Sequence, residues 1–217
     1  MALREIVPGV LTWPWFSERH GYDFNGYLLR HSGGGVAVDP VEMSDAVLDE
    51  LAREGVQRII LTNRNHFRAA AKLRERTGAR VSVHPADGEF VKANGVAPDD
   101  ELKFGDTILN SEHPSRAGEL SMASPNFTVV DAHGKSPGEI ALWDAQRSIL
   151  LVGDACVGKP PGALKLLSPK VIDDLPALQE SLRRLAALEP QIILVGDGAC
   201  ILENAAAALR ALVGSFS

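Results

Sequence analysis

The chain has 217 residues, of which 45% are hydrophobic and 23% are charged, and this composition and length are typical of a globular protein with one sizeable core. Its formal net charge of −6 argues against a nucleic-acid partner, since such binding depends on neutralising phosphates. Two cysteines, no secretory leader and no run of about 18 apolar residues together predict a reduced, cytoplasmic protein that does not enter a membrane.

The first part of the chain predicts three strands followed by a helix. The strands are expected at about 5–12, 24–31 and 34–38, with a glycine turn before the third. A helix over about 43–54 follows, because Val47, Leu48 and Leu51 recur at helical spacing, with Ser44 or Asp45 as its cap.

The next elements place a polar loop at the end of a buried strand. The apolar run over 58–61 is typical of such a strand, and it is followed by a predicted helix over about 67–77 and a strand beginning at Arg80. Asn63 to Arg68 therefore lie at a carboxyl end, where open α/β sheets usually bind ligands.

The second half of the chain predicts another sheet. Residues 94–126 are rich in loops. Strands are expected at about 127–132, 138–143, 147–152 and 191–195. The clearest helix spans about 174–188, with Asp173 or Asp174 as its cap, and a last helix contains Leu202, Ala205, Ala206, Leu209 and Leu212.

Five segments carry recognisable motifs in these predicted turns and strand ends. The first is the loop Leu61-Thr62-Asn63-Arg64-Asn65-His66-Phe67-Arg68. The others are Asn25 to Leu29 with Val36 to Pro40, Asp131 to Glu139, Leu150 to Ala155, and Ile193 to Gly198.

Together these segments resemble the metallo-β-lactamase superfamily, whose members hydrolyse esters, thioesters, lactams and phosphodiesters. In that family the first loop reads Thr-His-Xaa-His-Xaa-Asp-His and holds zinc or iron. The later segments are similar to its Gly-His-Thr-Pro-Gly-Ser, Gly-Asp and Gly-His-Gly motifs. The resemblance covers most of the chain and implies an α/β protein, a single domain over 1–217 folded as a four-layer αββα sandwich. A shared fold does not by itself imply a shared activity.

The positions that the family uses for metal ligands are mostly occupied by other residue types. They read Asn63, Asn65, Phe67 and Arg68 in the loop, then Lys135, Asp154 and Asp197, of which only Asp154 matches the family. Zinc sites need several histidine, cysteine or carboxylate ligands. The resemblance therefore implies a degenerate site with no metal and no other cofactor.

Charge strengthens this expectation. If Lys135 and Arg68 point inward, they place cations where the metals would lie. Each unit-charge repulsion at about 4 Å and an effective dielectric near 20 costs about 4 kcal/mol, and a divalent ion doubles it. We expect these two cations to neutralise Asp154 and Asp197 instead, since buried carboxylates need partners.

Two other kinds of metal site remain open. His66 and His133 lie near family ligand positions and could join Asp154 and Asp197, although a shift along the chain often turns a side chain to the opposite face. An oxygen-only site of Asn63, Asn65, Asp154 and Asp197 would suit magnesium or calcium in ligand type. The cations Lys135 and Arg68 oppose the oxygen-only site.

The sequence thus predicts a pocket formed by Asn63, Asn65, His66, Phe67, Arg68, Lys135, Asp154 and Asp197. Its Arg and Lys residues favour a small anionic ligand, and the first hypothesis is a non-catalytic binding or regulatory protein. The alternatives are an ester or thioester hydrolase acting without metal or with a displaced one, and a structural subunit. Cys156 and Cys200 are expected to be structural, and no feature indicates an oligomeric state.

Overall fold

The computed structural model describes residues 2–31, 33–108 and 125–216, and within them the chain forms two β-sheets. The strands of the first sheet are β1 (Arg4–Val7), β2 (Val10–Ser17), β3 (Tyr22–Leu29), β4 (Gly35–Val38), β5 (Val56–Leu61), β6 (Arg80–Val83) and β7 (Asp100–Glu101), in that spatial order. The second sheet has the order β11-β10-β9-β8, with β8 (Thr128–Asp131), β9 (Ile140–Asp144), β10 (Ile149–Leu151) and β11 (Ile192–Leu194).

Five α-helices occur in the described ranges. They are α1 (Asp45–Arg53), α2 (Ala70–Thr77), α3 (Pro85–Ala93), α4 (Leu175–Ala186) and α5 (Ala205–Gly214). Ser44 caps α1 and Asp174 caps α4, each accepting a hydrogen bond from a backbone N–H three residues on. Both caps were among the predicted alternatives. None of the described helices combines the length and apolar character that crossing a bilayer requires.

The sheets and helices stack in four layers. The inner faces of the two sheets share one apolar core, which includes Tyr27 and Ile60 from the first sheet and Leu142 and Leu151 from the second. Helices α1, α2 and α3 pack on the outer face of the first sheet, and α4 and α5 pack on the outer face of the second. The predicted αββα sandwich is confirmed.

Strand direction brings the loops of both sheets to one edge. Strands β4 to β7 run parallel, as do β10 and β11, so their carboxyl ends face the same way within each sheet. Gly196 N–H donates to Gly153 O, and Asn25 N–H donates to Gly196 O. These hydrogen bonds join the loops that follow β10 and β11 to β3 in the other sheet.

Some predicted boundaries were wrong. The strand expected over 5–12 is two strands, because Pro8 and Gly9 form a turn and Gly9 adopts φ 76°, which favours glycine. Helix α2 begins at Ala70 instead of 67, since residues 64–69 form turns. Helix α3 was not predicted at all, because Asp87 and Gly88 interrupt its apolar pattern. Part of the region 94–126, residues 109–124, lies outside the described residues.

Candidate functional site

The candidate site lies where the chain leaves the strands of both sheets. Its residues follow β4 (Asp39), β5 (Asn63, Asn65, His66 and Arg68), β10 (Asp154) and β11 (Asp197), and Lys135 comes from the loop between β8 and β9. Buried strands therefore fix the positions from which these polar side chains project. The site draws on both sheets, and its side chains are placed by the rigid core between them.

Four buried charged side chains form what we call the inner cluster: Asp39, His66, Lys135 and Asp154. His66 Nδ1 lies 2.9 Å from Asp39 Oδ2, and His66 Nε2 lies 3.0 Å from Asp154 Oδ1. Lys135 Nζ lies 3.1 Å from the other Asp154 oxygen, Oδ2. Each of the four residues is at most 6% exposed. The cluster is thus a chain of ion pairs shielded from solvent.

The electrostatics of the inner cluster favour its charged forms. Burial opposes a charge on His66, but the negative charges of Asp154 and Asp39 and hydrogen bonds to both raise the pKa of His66 to about 10. Burial also opposes the Asp154 carboxylate, yet the charges and hydrogen bonds of His66 and Lys135 lower the pKa of Asp154. At neutral pH the imidazolium and the carboxylate are therefore both present.

The expectation that a one-residue shift would turn His66 away from the site was wrong. Residues 64–69 are turns, and His66 N–H donates to Asn63 O at 3.3 Å. Side chains in a turn do not alternate between faces as they do in a strand. The His66 ring is consequently directed inward, whereas Asn65 is exposed and Phe67 is half-buried.

The two asparagines at positions that the family resemblance assigns to metal ligands serve as hydrogen-bonding partners. Asn65 Oδ1 accepts a hydrogen bond from Lys135 Nζ. Asn63 is fully buried, and its Oδ1 accepts the Asn65 N–H at 2.9 Å. Phe67 packs against the core under α1 to α3, with its ring 6.5 Å from that of Phe90. These side chains support the loop and the Lys135 ammonium.

Glu139 is a buried acid that sequence reasoning did not select. Its Oε1 accepts the Asp154 N–H at 3.0 Å and lies 3.4 Å from Asn63 Nδ2. Burial, followed by the charge of Asp154, raises the pKa of Glu139 well above its usual range. Its Oε2 has no hydrogen-bond partner among the described residues. A buried carboxyl group whose charged form is disfavoured thus lies beside the inner cluster.

Asp87 fastens together the two loops that carry Asn65 and Lys135. This fully buried carboxylate on α3 accepts hydrogen bonds from Arg64 N–H at 2.8 Å, Ser136 Oγ at 2.6 Å and Gly138 N–H at 3.0 Å. Gly138 must be small, because a Cβ there would lie 2.7 Å from the Asp87 carboxyl carbon. Helix α3, which was not predicted, therefore holds the two loops of the site in place.

Two cations stacked on two aromatic rings form what we call the rim: Tyr22, Phe24, Arg68 and Lys159. Arg68 Cζ lies 4.4 Å from the Phe24 ring centroid, and Lys159 Nζ lies 4.9 Å from that of Tyr22. The two ring centroids are 5.9 Å apart. Among the described residues, neither cation has a carboxylate within 4.0 Å, and Arg68 is exposed. Aromatic faces thus hold both cations in place.

Asp197 lies between the inner cluster and the rim. Its backbone pairs with that of Phe24, and the residue is 8% exposed. Burial and then the charge of Asp154 raise the pKa of Asp197 to about 7, against the opposing cations His66, Arg68 and Lys135. Its Oδ1 has no hydrogen-bond partner in the described part of the chain. The ion pair that we expected between Arg68 and Asp197 is not formed there, because Arg68 stacks on Phe24 instead.

Other candidate residues are occupied elsewhere. His133 Nδ1 lies 2.6 Å from Asp131 Oδ1. The other oxygen of Asp131, Oδ2, accepts a hydrogen bond from Arg184 on α4. Cys156 is fully buried, and burial followed by the charge of Glu139 raises the pKa of its thiol to about 12. Burial likewise raises the pKa of Cys200. Neither cysteine has the depressed pKa that a nucleophile needs.

The donor set does not fit a divalent metal. No group of three or more His, Cys, Asp or Glu side chains within the described ranges is arranged to hold one. Both nitrogens of His66 face carboxylates, and both oxygens of Asp154 face cations. A metal ion would have to displace these partners and approach two positive charges. Of the side chains proposed for the displaced sites and the oxygen-only site, Asp197 keeps one buried oxygen without a partner among the described residues, and a single oxygen is too few to hold a metal.

The structure thus adds Asp39, Asp87, Glu139 and Lys159 to the residues predicted from sequence. Asp39 had a usable signal in the sequence, because it directly follows the short apolar strand β4. In the structure it adopts φ 48°, which is uncommon outside glycine. Asp87 and Glu139 had none, because an isolated acidic residue in a polar segment is ordinarily exposed.

Comparisons with known proteins agree with this architecture. A family model described as the metallo-β-lactamase superfamily matches residues 4–216. A protein named hydroxyacylglutathione hydrolase from Cereibacter sphaeroides is 29% identical over 223 residues, covering 96% of this chain and 76% of the relative. A metallo-β-lactamase from Pontibacter korlensis superposes with a TM-score of 0.75 at 14% identity, covering 99% of both chains. A metallo-β-lactamase family protein from Thermus thermophilus gives a TM-score of 0.70 at 19% identity, covering 97% of this chain and 80% of that one. At these identities the two structures show the fold alone.

Proposed function

The chain belongs to the metallo-β-lactamase superfamily, and from this premise we propose that it binds a small anionic molecule at the rim without catalysing its hydrolysis. The observation that carries the proposal is that no carboxylate of the described residues pairs with the two cations of the rim. Arg68 and Lys159 rest on the rings of Phe24 and Tyr22, and in the described residues no carboxylate neutralises them. Guanidinium and ammonium groups held in this way are available for charge-assisted hydrogen bonds to a carboxylate, phosphate or sulfate.

The ligand would lie on the surface of the rim, because the space beneath Arg68 is closed. The crevice lined by Asn25, Asp39, His66, Arg68 and Gly196, among other residues, has no room for a molecule as large as water. A compact anion would therefore contact Arg68 from the solvent side and leave the inner cluster intact.

The inner cluster supports the non-catalytic part of the proposal. A general base needs an unprotonated, accessible lone pair near neutral pH. His66 uses both nitrogens, its pKa is about 10, and both oxygens of Asp154 face cations. The groups best placed to activate water are thus already engaged with one another.

The test is isothermal titration calorimetry with a panel of inorganic phosphate, sulfate, acetate and succinate. We expect at least one anion to bind, and Arg68→Gln to weaken it about tenfold, the loss of about one charge-assisted hydrogen bond. Arg76→Gln is the matched control. It also removes one positive charge, but from an exposed ion pair between Arg76 on α2 and Asp49 on α1. If no anion of the panel binds the wild type, or if the two variants weaken binding equally, the proposal fails.

A second candidate function, hydrolysis without metal, is favoured by Asp197. This carboxyl group has a pKa of about 7 and an unpartnered oxygen, which suits a general acid or base. The named activity of the Cereibacter sphaeroides relative, a hydrolase, points the same way. Turnover of simple esters or thioesters by metal-depleted protein, abolished by Asp197→Asn, would establish this alternative and displace the first.

A further inference from the structure

We infer that His66 and Lys135 are a built-in replacement for the divalent metal of the fold, supplying its positive charge from the chain itself. The inference concerns how the site is held together, so it does not depend on whether an anion binds at the rim. Lys135 occupies a position where the family has a metal ligand, and His66 lies beside two such positions. Together they provide two positive charges at Asp154, the one residue at these positions that matches the family.

His66 makes the connection that joins the two sheets. Asp39 follows β4 in the first sheet, and Asp154 follows β10 in the second. The ring of His66 lies between them. Its Nδ1 is 2.9 Å from Asp39 Oδ2, and its Nε2 is 3.0 Å from Asp154 Oδ1. A neutral imidazole has one N–H, whereas both of these partners are acceptors. The doubly protonated ring donates to both carboxylates at once, so the geometry favours the cation.

The remaining hydrogen bonds of the two carboxylates are also supplied by the chain. Thr62 N–H donates to Asp39 Oδ1 at 2.7 Å, and Thr62 Oγ donates to Asp39 Oδ2 at 2.6 Å. Lys135 Nζ lies 3.1 Å from Asp154 Oδ2 and donates to Asn65 Oδ1. Every carboxylate oxygen of the inner cluster therefore has at least one protein partner.

Variants that lose His66 or Lys135 should be less stable than the intact protein, and a metal ion should restore part of their stability. Without His66 or Lys135, Asp154 keeps its buried charge but loses a partner, which destabilises the fold. The freed carboxylate oxygens are ligands of the kind that Mn²⁺ and Zn²⁺ accept. The external ion should then substitute for the missing side chain, although it does nothing for the intact protein.

The experiment compares melting temperatures in chelator with those in Mn²⁺ or Zn²⁺, together with metal content by plasma mass spectrometry. For the wild type we expect no rise with either metal and far less than one ion per chain. For His66→Gln and Lys135→Met we expect a lower melting temperature in chelator that either metal partly restores. The Arg147→Gln control breaks a buried pair with Asp144, 2.7 Å apart, and its lowered melting temperature should not respond to metal.

Several outcomes would overturn the inference. They are a wild type purified with about one ion per chain whose removal lowers the melting temperature, cation-removal variants as stable as the wild type, and variants whose lost stability no metal restores. If His66→Gln does not fold, Lys135→Met carries the test, because it leaves the pairs of His66 with Asp39 and Asp154 in place. A loss of stability in Lys135→Met that neither metal restores would contradict the inference by itself.

Discussion

The inner cluster and the rim both carry positive charge, but they hold it in different ways. In the inner cluster His66 and Lys135 are buried and direct their charge at Asp39 and Asp154. At the rim Arg68 and Lys159 lie over aromatic rings. Charge that is neutralised inside the fold stabilises it, whereas charge that aromatic faces hold near the surface remains available to a ligand. The two regions should therefore respond oppositely to mutation, the first in stability and the second in binding.

The largest effect should come from removing the carboxylate at the centre of the inner cluster. Asp154→Ala leaves the Lys135 ammonium buried without a carboxylate and leaves His66 with Asp39 alone, and breaking a buried pair in this way costs about 3–5 kcal/mol of unfolding free energy. Urea denaturation measures it. Asp173→Ala, which breaks the exposed pair with Arg64 at 2.7 Å, should change stability by less than about 1 kcal/mol. Equal effects would mean that the inner cluster is not structural.

The next effect is a fall in stability at alkaline pH. The pKa of His66 is raised in the fold from its ordinary 6.5 to about 10, so the stability it contributes is fully present below pH 6.5 and is lost as pH rises through 10. The loss should be on the order of a few kcal/mol, because each pKa unit corresponds to about 1.36 kcal/mol. Measuring denaturation above pH 8 avoids the titration of Asp197, whose pKa is about 7. His66→Gln should flatten the curve, and a wild-type curve that is already flat would contradict the ion-pair account.

A smaller effect is expected at the support beneath the inner cluster. Asp87→Asn keeps the shape of the side chain but exchanges an acceptor oxygen for a donor, so one of the donors Arg64 N–H and Gly138 N–H loses its acceptor. A buried donor left unsatisfied costs about 1–3 kcal/mol. Chemical denaturation should show this loss, whereas Asp106→Asn, at an exposed turn, should show much less.

The smallest effect on stability should be found at the rim. Arg68→Gln removes a cation over Phe24 from an exposed position, and such interactions contribute about 0.5–1 kcal/mol. The same variant should nevertheless weaken anion binding more than Asp87→Asn does. A rim variant that destabilised the protein as much as Asp154→Ala would erase the distinction between the two regions.

The sequence predicted where the site lies better than how it works. The apolar run over 58–61 placed Asn63 to Arg68 at the carboxyl end of a strand. The family resemblance, and not periodicity, placed Lys135, Asp154 and Asp197 beside them. The partner of each charge could not be read in this way. Whether His66 or Arg68 points inward depends on the turn between β5 and α2, and an isolated Asp87 or Glu139 gives no sign of burial until the helix or strand that carries it is placed.

The most direct test of the central claim is the charge on His66, measured by nitrogen NMR of the ¹⁵N-labelled imidazole at pH 8. If the ring bridges Asp39 and Asp154 as a cation, both nitrogens carry protons at this pH, their shifts match each other, and they do not titrate near pH 6.5. A ring with one protonated and one bare nitrogen at pH 8, titrating near its ordinary pKa, would contradict the claim that side chains supply the positive charge of this site.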